Sequence, residues 1–312
     1  AIGIIAIPAL VRHGYPREFA AGLVAAGGTL GILIPPSIPF IVYGAITDQS
    51  VSKLFLAGVL PGVVLTILMI AHAVIVSRIR GYGTPLPSMP WRERLAVLRK
   101  AALLLALPVV ILGGIYAGIF TPTEAAAAGV ALTLLLGCVV YRRLSPSALW
   151  AASKETVHFT VMIFAIIAGA KLFGHVSTTM QIPQGFAQWI LATNIGPFEF
   201  MLATMLVLIL LGDFLDPISI ILIVVPVLLP SLAALQINPI WFSVLLIINM
   251  ELANITPPVG LNLFVIQSLQ REYLSYGQVL RGTAPFMAVI VLAMILVWWQ
   301  PLLVTWLPAQ VR

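Results

Sequence analysis

The sequence predicts an all-α protein that crosses a membrane several times. Of its 312 residues, 61% are hydrophobic and only 8% charged, and the mean hydropathy is +1.11. A soluble domain carries about 25% charged residues, so most of this surface is built to face something other than water. Apolar runs recur along the chain, each near the ~20 residues that a helix needs to span the hydrocarbon. Basic residues collect between these runs, where Lys and Arg set orientation. A soluble enzyme, a disordered chain and an ordinary nucleic-acid-binding protein are excluded, despite a net charge of +6 and a pI near 9.8.

Residues 1–10 read as the tail of an apolar run. The chain opens Ala1-Ile2-Gly3 inside that run, so an N-terminal part is expected to be missing. Further runs cover 19–46, 54–77, 101–120, 125–141, 156–174, 240–266 and 283–307, with two shorter ones at 198–212 and 217–234. The loop 78–100 holds Arg78, Arg80, Arg92, Arg94, Arg99 and Lys100 against Glu93, which assigns it to the cytoplasm. Helix 101–120 then leads out, and helix 125–141 returns to Arg142-Arg143, again basic. Arg12 and Arg17 fall inside by the same count, as do Arg271 and Arg281. The single cysteine, Cys138, lies in an apolar run, so neither a disulfide framework nor a thiolate metal site is available.

Runs 198–212 and 217–234 lie between two outside points. They make either two full crossings or, as expected here, one re-entrant hairpin tipped by Gly212-Asp213-Phe214-Leu215-Asp216-Pro217. Non-helical backbone at that depth is tolerated where protein buries it or where it lines a wet cavity.

Shifting the chain by 222 residues places Pro8 on Pro230 and Pro35-Pro36 on Pro257-Pro258. By the topology above the two copies are inverted, an arrangement typical of secondary transporters with sites near the midplane. In Gly27-Gly28-Thr29-Leu30-Gly31-Ile32-Leu33-Ile34-Pro35-Pro36-Ser37, two prolines remove two backbone donors and push Ile34 and Pro35 out of the α region. The first half-helix then ends in free carbonyls, suited to Na⁺. The second half begins with free N–H groups, suited to an anion. Asn254-Ile255-Thr256-Pro257-Pro258-Val259-Gly260 repeats the pattern and adds the side-chain oxygens of Asn254 and Thr256.

Acids at membrane depth are functional candidates, which selects Asp213, Asp216 and Glu251. Asp216 before Pro217 is also a sound helix N-cap, and the two roles are compatible. Glu251 needs a polar partner, for which Lys171 is one option. Thr121-Pro122-Thr123-Glu124 reads as a capping box. His72, His158 and His175 form no metal spacing.

Together these residues resemble the large membrane subunit of tripartite ATP-independent periplasmic (TRAP) transporters. The resemblance starts at His13-Gly14-Tyr15 and is strongest over Gly27 to Ile38. It continues through Gly118-Ile119-Phe120-Thr121-Pro122-Thr123-Glu124-Ala125 and Gly212 to Asp216, then Pro226 and Pro230, and closes on Thr256 to Gly260. It implies a Na⁺-driven, elevator-type importer of organic acids (C4-dicarboxylates, sialic acid or keto acids) in the bacterial inner membrane. Its implied partners are a periplasmic substrate-binding protein, a small four-helix membrane subunit and membrane lipids. No cofactor is implied beyond Na⁺ as the coupling ion.

Under that resemblance, residues 1–50 and 196–270 form the two transport repeats, 51–195 the scaffold and connectors, and 271–312 a C-terminal helix. Ion and substrate sites are expected at Thr29, Gly31, Ile34, Pro35, Pro36 and Ser37, and at Gly212, Asp213, Asp216, Asn254, Thr256, Pro257, Pro258 and Gly260. Backbone carbonyls near Gly31, Ile34, Gly212, Asp216, Asn254 and Thr256 would carry most of the Na⁺ coordination. The hairpin tip of the first site would precede residue 1. Three alternatives stand beside it: a dicarboxylate or citrate carrier needing no binding protein, a passive channel, and an intramembrane enzyme. Leu210 occupies the first glycine position of the Gly-x-Gly-Asp motif that an intramembrane aspartyl protease needs.

Overall fold

Both double-proline stretches interrupt their helices in the computed structural model, which describes residues 2–84, 89–269 and 274–310. Helix α1 (Ile2–Arg12) precedes α2 (Arg17–Thr29), which tightens into a 3₁₀ turn (Leu30–Ile32), and the chain resumes as α3 (Ile38–Thr47) and the long α4 (Val51–Arg80). Then come α5 (Trp91–Tyr116), α6 (Pro122–Leu135), a π-helical turn (Leu136–Val140), α7 (Pro146–Thr179) and α8 (Ile182–Ala192). The hairpin is α9 (Pro197–Gly212) and α10 (Pro217–Ala234). It leads to the second broken pair, α11 (Pro239–Ala253) and α12 (Leu261–Leu269), then to α13 (Tyr276–Trp299) and α14 (Leu302–Gln310). No strand forms among the described residues. Among the described residues five helices are long and apolar enough to cross a membrane, or six if α5 with its 58° bend is one span. The chain is a multi-pass membrane protein.

The chain divides into two compact units, Ala1–Thr84 with Ala170–Arg312, and Pro85–Gly169. In the first, the repeat seen in sequence is also a repeat of structure. A shift of 222 residues carries the end of α1 onto the end of α10, the start of α2 onto the start of α11, and the end of α3 onto the end of α12. The packing is reciprocal. α3 packs on α10 and α12 on α1; α2 packs on α12 and α11 on α3; α2 packs on α13 and α11 on α4. Two copies related by a two-fold rotation make such paired contacts.

The tightest of them is the α2–α13 crossing. A Cβ built on Gly22 would lie 2.0 Å from the carbonyl oxygen of Gly282, and one on Gly282 would lie 1.8 Å from that of Glu18. Small residues allow helix backbones to approach this closely, which membrane helices exploit because lipid offers no hydrophobic drive to pair them.

In the second unit α5 packs on α6. The capping box is present: the Thr121 hydroxyl accepts from Glu124 N–H, and the Glu124 carboxylate accepts from Thr121 N–H at 2.8 Å.

Several sequence boundaries change. The run 101–120 belongs to a helix that starts at Trp91, because 91–99 is an amphipathic lead-in that meets the span at the bend. The run 156–174 is the middle of the 34-residue α7. The run 283–307 is two helices, since Pro301 has no N–H to continue the ladder beyond Gln300. Much of the basic stretch 78–100 is helical. Arg271 lies outside the described residues.

The Gly282 contact generates the first prediction. Gly282→Val should lower stability by at least about 3 kcal/mol, with loss of the monodisperse peak in detergent size exclusion. Gly277→Ala, on the same helix with nothing within 4 Å of the added Cβ, should leave the profile unchanged.

Candidate ion and substrate site

At the first break the carbonyls of Gly31 and Ile32 would accept from residues 35 and 36, which are prolines without N–H. Ile32 recovers a partner in the Ser37 hydroxyl. Gly31 does not gain an α-helical one, and together with Gly27 and Gly28 it presents exposed backbone with nothing within 4 Å of an added Cβ. Thr29 is buried and donates its hydroxyl to Ala26 O at 2.8 Å. Ile34 and Pro36 are exposed, while Pro35 and Ser37 are buried. α4 braces this break from behind: a Cβ on Gly58 would sit 2.6 Å from the Leu33 carbonyl oxygen.

The second break resolves the same shortage differently. Ala253 O accepts from Thr256 N–H at 3.2 Å, and Asn254 O accepts from Asn262 N–H at 3.0 Å, a bond that crosses the break. Thr256 donates its hydroxyl to Leu252 O at 2.6 Å, which leaves the oxygen lone pairs of Thr256 open. Gly260 has φ +55° and approaches Thr256 O so closely that a Cβ would lie 2.9 Å away, so this turn requires glycine. Tyr276, at the start of α13, reaches across and donates to Pro258 O at 3.2 Å and Val259 O at 3.3 Å. Pro35-Pro36 and Pro257-Pro258 are both cis.

The hairpin tip docks on the end of α11. A Cβ on Gly212 would be 2.5 Å from the Cβ of Ala253, with the Met250 sulfur at 3.7 Å. The two tip carboxylates then differ. Asp216 caps α10, accepting from Ile218 N–H at 3.0 Å, Ser219 N–H at 3.2 Å and the Ser219 hydroxyl, so both its oxygens are engaged. Asp213 is 1% exposed, and its Oδ1 has no hydrogen-bond partner. It lies near enough to Tyr276 to act on that hydroxyl electrostatically.

The structure therefore brings Gly212, Asp213, Asn254, Thr256 and the Pro257–Gly260 turn to one place. The first-break residues are neighbours of this group through α11, which packs on the 3₁₀ turn Leu30–Ile32. Glu251 is fully buried with no partner for either carboxylate oxygen, so Lys171, on an exposed position of α7, does not pair with it. Among the described residues no group of three His, Cys, Asp or Glu could hold a metal.

Two contributors escaped the sequence reading. Tyr276 has no local signal, because its role depends on a turn 17 to 18 residues earlier. Asn249 did have one, as an amide inside an apolar helix; it is buried and donates to Met205 O at 2.9 Å, tying α11 to α9.

Residues 1–303 match the family described as "Tripartite ATP-independent periplasmic transporter, DctM component". The chain belongs to this family. It is 44% identical over 304 residues to the C4-dicarboxylate TRAP transporter large permease protein DctM of Pseudomonas aeruginosa, covering 96% of this chain and 70% of that protein. The sialic acid TRAP transporter large permease protein SiaM of Vibrio cholerae is 36% identical over 301 residues, 96% of this chain and 70% of that protein. The ectoine TRAP transporter large permease protein TeaC of Halomonas elongata is 35% identical over 294 residues, 94% of this chain and 68% of that protein. As a DctM-family protein the chain is a transporter permease component, not an enzyme.

The isolation of Glu251 yields a sharp expectation. Glu251→Gln breaks no bond present in the structure and should hold the thermal midpoint within about 2 °C in scanning fluorimetry. Glu251→Lys puts a cation into the same partnerless surroundings and should cost about 3 kcal/mol or more.

Proposed function

We propose that this chain is the transport subunit of a Na⁺-gradient-driven importer of a small organic acid, of the dicarboxylate, sialic acid or keto acid class. The cargo is delivered by a periplasmic substrate-binding protein, and the subunit works by an elevator mechanism beside a small membrane subunit in a bacterial inner membrane. The observation that carries the reading is Asp213, a buried tip carboxylate with a free oxygen, docked by Gly212 against the broken end of α11. A hard cation takes oxygen ligands, and this corner offers Asp213 Oδ1, the Thr256 hydroxyl and the carbonyls of a proline-rich turn.

Three further features support it. The reciprocal packing of two repeats is the architecture on which alternating access is built. The two breaks are each braced by the helix that follows, α4 or α13, as a moving body carried on scaffold arms requires. The apolar windows of α6 and α7 are only 17% and 6% buried, so lipid or a second membrane subunit must cover them. The relatives named for C4-dicarboxylates favour that cargo class and a receptor-dependent carrier over one that works alone.

The test is Na⁺-dependent uptake in proteoliposomes holding the complete transporter and its binding protein. Asp213→Asn, Asp216→Ala and Thr256→Ala should each raise the Na⁺ concentration for half-maximal uptake about ten-fold, the effect of ~1.4 kcal/mol of lost binding. Asp216→Ala should also lose about 1 kcal/mol of stability as a cap. Unchanged Na⁺ dependence in all three variants would refute the placement of the site.

A further inference from the structure

A pocket of about 320 Å³ opens between α1, α2 and α4, away from the breaks. It is lined on one hand by the polar Tyr15, Ser77, Arg78 and Tyr82 and on the other by the apolar Leu10, Leu23 and Val74. The two tyrosines are held in place by Phe19. Phe19 stacks on Tyr15 at 6.0 Å between ring centroids and tilts against Tyr82 at 5.4 Å. Two loops clasp beneath it: Gly83 N–H donates to Gly14 O at 3.3 Å, and Thr84 N–H donates to His13 O at 2.8 Å. Gly83, at φ +84°, lies flat under the Tyr15 ring, where a Cβ would come within 2.8 Å of it.

The charge around this pocket is one-sided. The end of α1, the start of α2 and the end of α4 carry Arg12, Arg17, Arg78 and Arg80 against a single acid, Glu18. Arg78 lines the pocket and makes no hydrogen bond or ion pair with the described residues. Arg80 donates to the Tyr82 oxygen at 3.4 Å, which brings a second guanidinium to the same edge and leaves the Tyr82 proton free to donate outward. The basic residues put this end of the unit at the cytoplasmic face.

A free guanidinium and three hydroxyls sharing one pocket with apolar side chains suit an amphiphile with an anionic head. We propose that this pocket binds an anionic phospholipid of the cytoplasmic leaflet. Arg78 pairs with its phosphate, Tyr15, Ser77 and Tyr82 donate to the phosphate oxygens, and an acyl chain lies along Leu10, Leu23 and Val74. Basic pockets on the cytoplasmic side of membrane helices recognise such head groups. A soluble phosphate ester offers the same head but leaves the apolar wall wet. The bound lipid fastens the α1–α2 loop to the end of α4, a joint between the first repeat and the helix that braces its break.

The experiment is native mass spectrometry of the intact purified subunit, delipidated and offered phosphatidylglycerol, cardiolipin or phosphatidylcholine. The anionic lipids should form retained adducts, and phosphatidylcholine should not. Arg78→Gln should reduce those adducts about five-fold, and Ala73→Phe, which fills the pocket from α4, should do the same with every charge intact. Arg94→Gln, in the separate basic stretch at the start of α5, should not. Equal loss in Arg78→Gln and Arg94→Gln would reduce the effect to bulk charge and overturn the site. Retained adducts in Ala73→Phe, or full displacement of lipid by millimolar glycerol 3-phosphate, would overturn the lipid assignment.

Discussion

A backbone carbonyl inside a membrane has to find a donor, and two consecutive prolines take two donors away at once. Most of the architecture around the breaks answers that shortage. At the first break one carbonyl is rescued by Ser37, and Gly31 is left on exposed backbone. At the second, Asn262 reaches back over the turn to Asn254, and Tyr276 crosses from α13 to the carbonyls of Pro258 and Val259. Unpaired backbone polar groups in hydrocarbon are costly. Both breaks therefore depend on donors brought from elsewhere in the chain.

The bracing that satisfies the breaks also couples them. α4 closes on Leu33 through Gly58, and α13 closes on the second turn through Tyr276. α13 in turn crosses α2 at Gly22 and Gly282, so the helix behind the second break grips the helix before the first. With α11 seated on the 3₁₀ turn Leu30–Ile32, neither break can shift alone without disturbing the other. Packed interfaces of this kind switch between discrete arrangements rather than deforming smoothly.

The fold was readable wherever a local rule acts alone. Proline pairs placed the breaks, hydropathy placed the long helices, and Thr121 and Asp216 announced their caps. What failed depends on tertiary distance. Nothing near Tyr276 says that its hydroxyl will meet Pro258, and nothing near Gly58 says that Leu33 will lie against it. Apolar run length also did not separate α13 from α14, because the polar interruption at Gln300-Pro301 is only two residues long. Lys171 is an option for Glu251 by charge alone, and charge carries no geometry.

The acids show why composition and contacts must be read together. Asp213, Asp216 and Glu251 look alike in sequence: each is a carboxylate at membrane depth and each is suspect for the same reason. Their oxygens separate them. Those of Asp216 are committed to starting α10, so its first duty is to hold the tip in shape. Those of Glu251 meet no donor, and the residue is fully buried within the packed body of α11. Asp213 alone combines burial, a free oxygen and a place at the junction of tip and broken helix. Under the Na⁺-driven function proposed above, an ion at that junction would supply the positive charge that the buried carboxylate lacks and would tie the tip to the break.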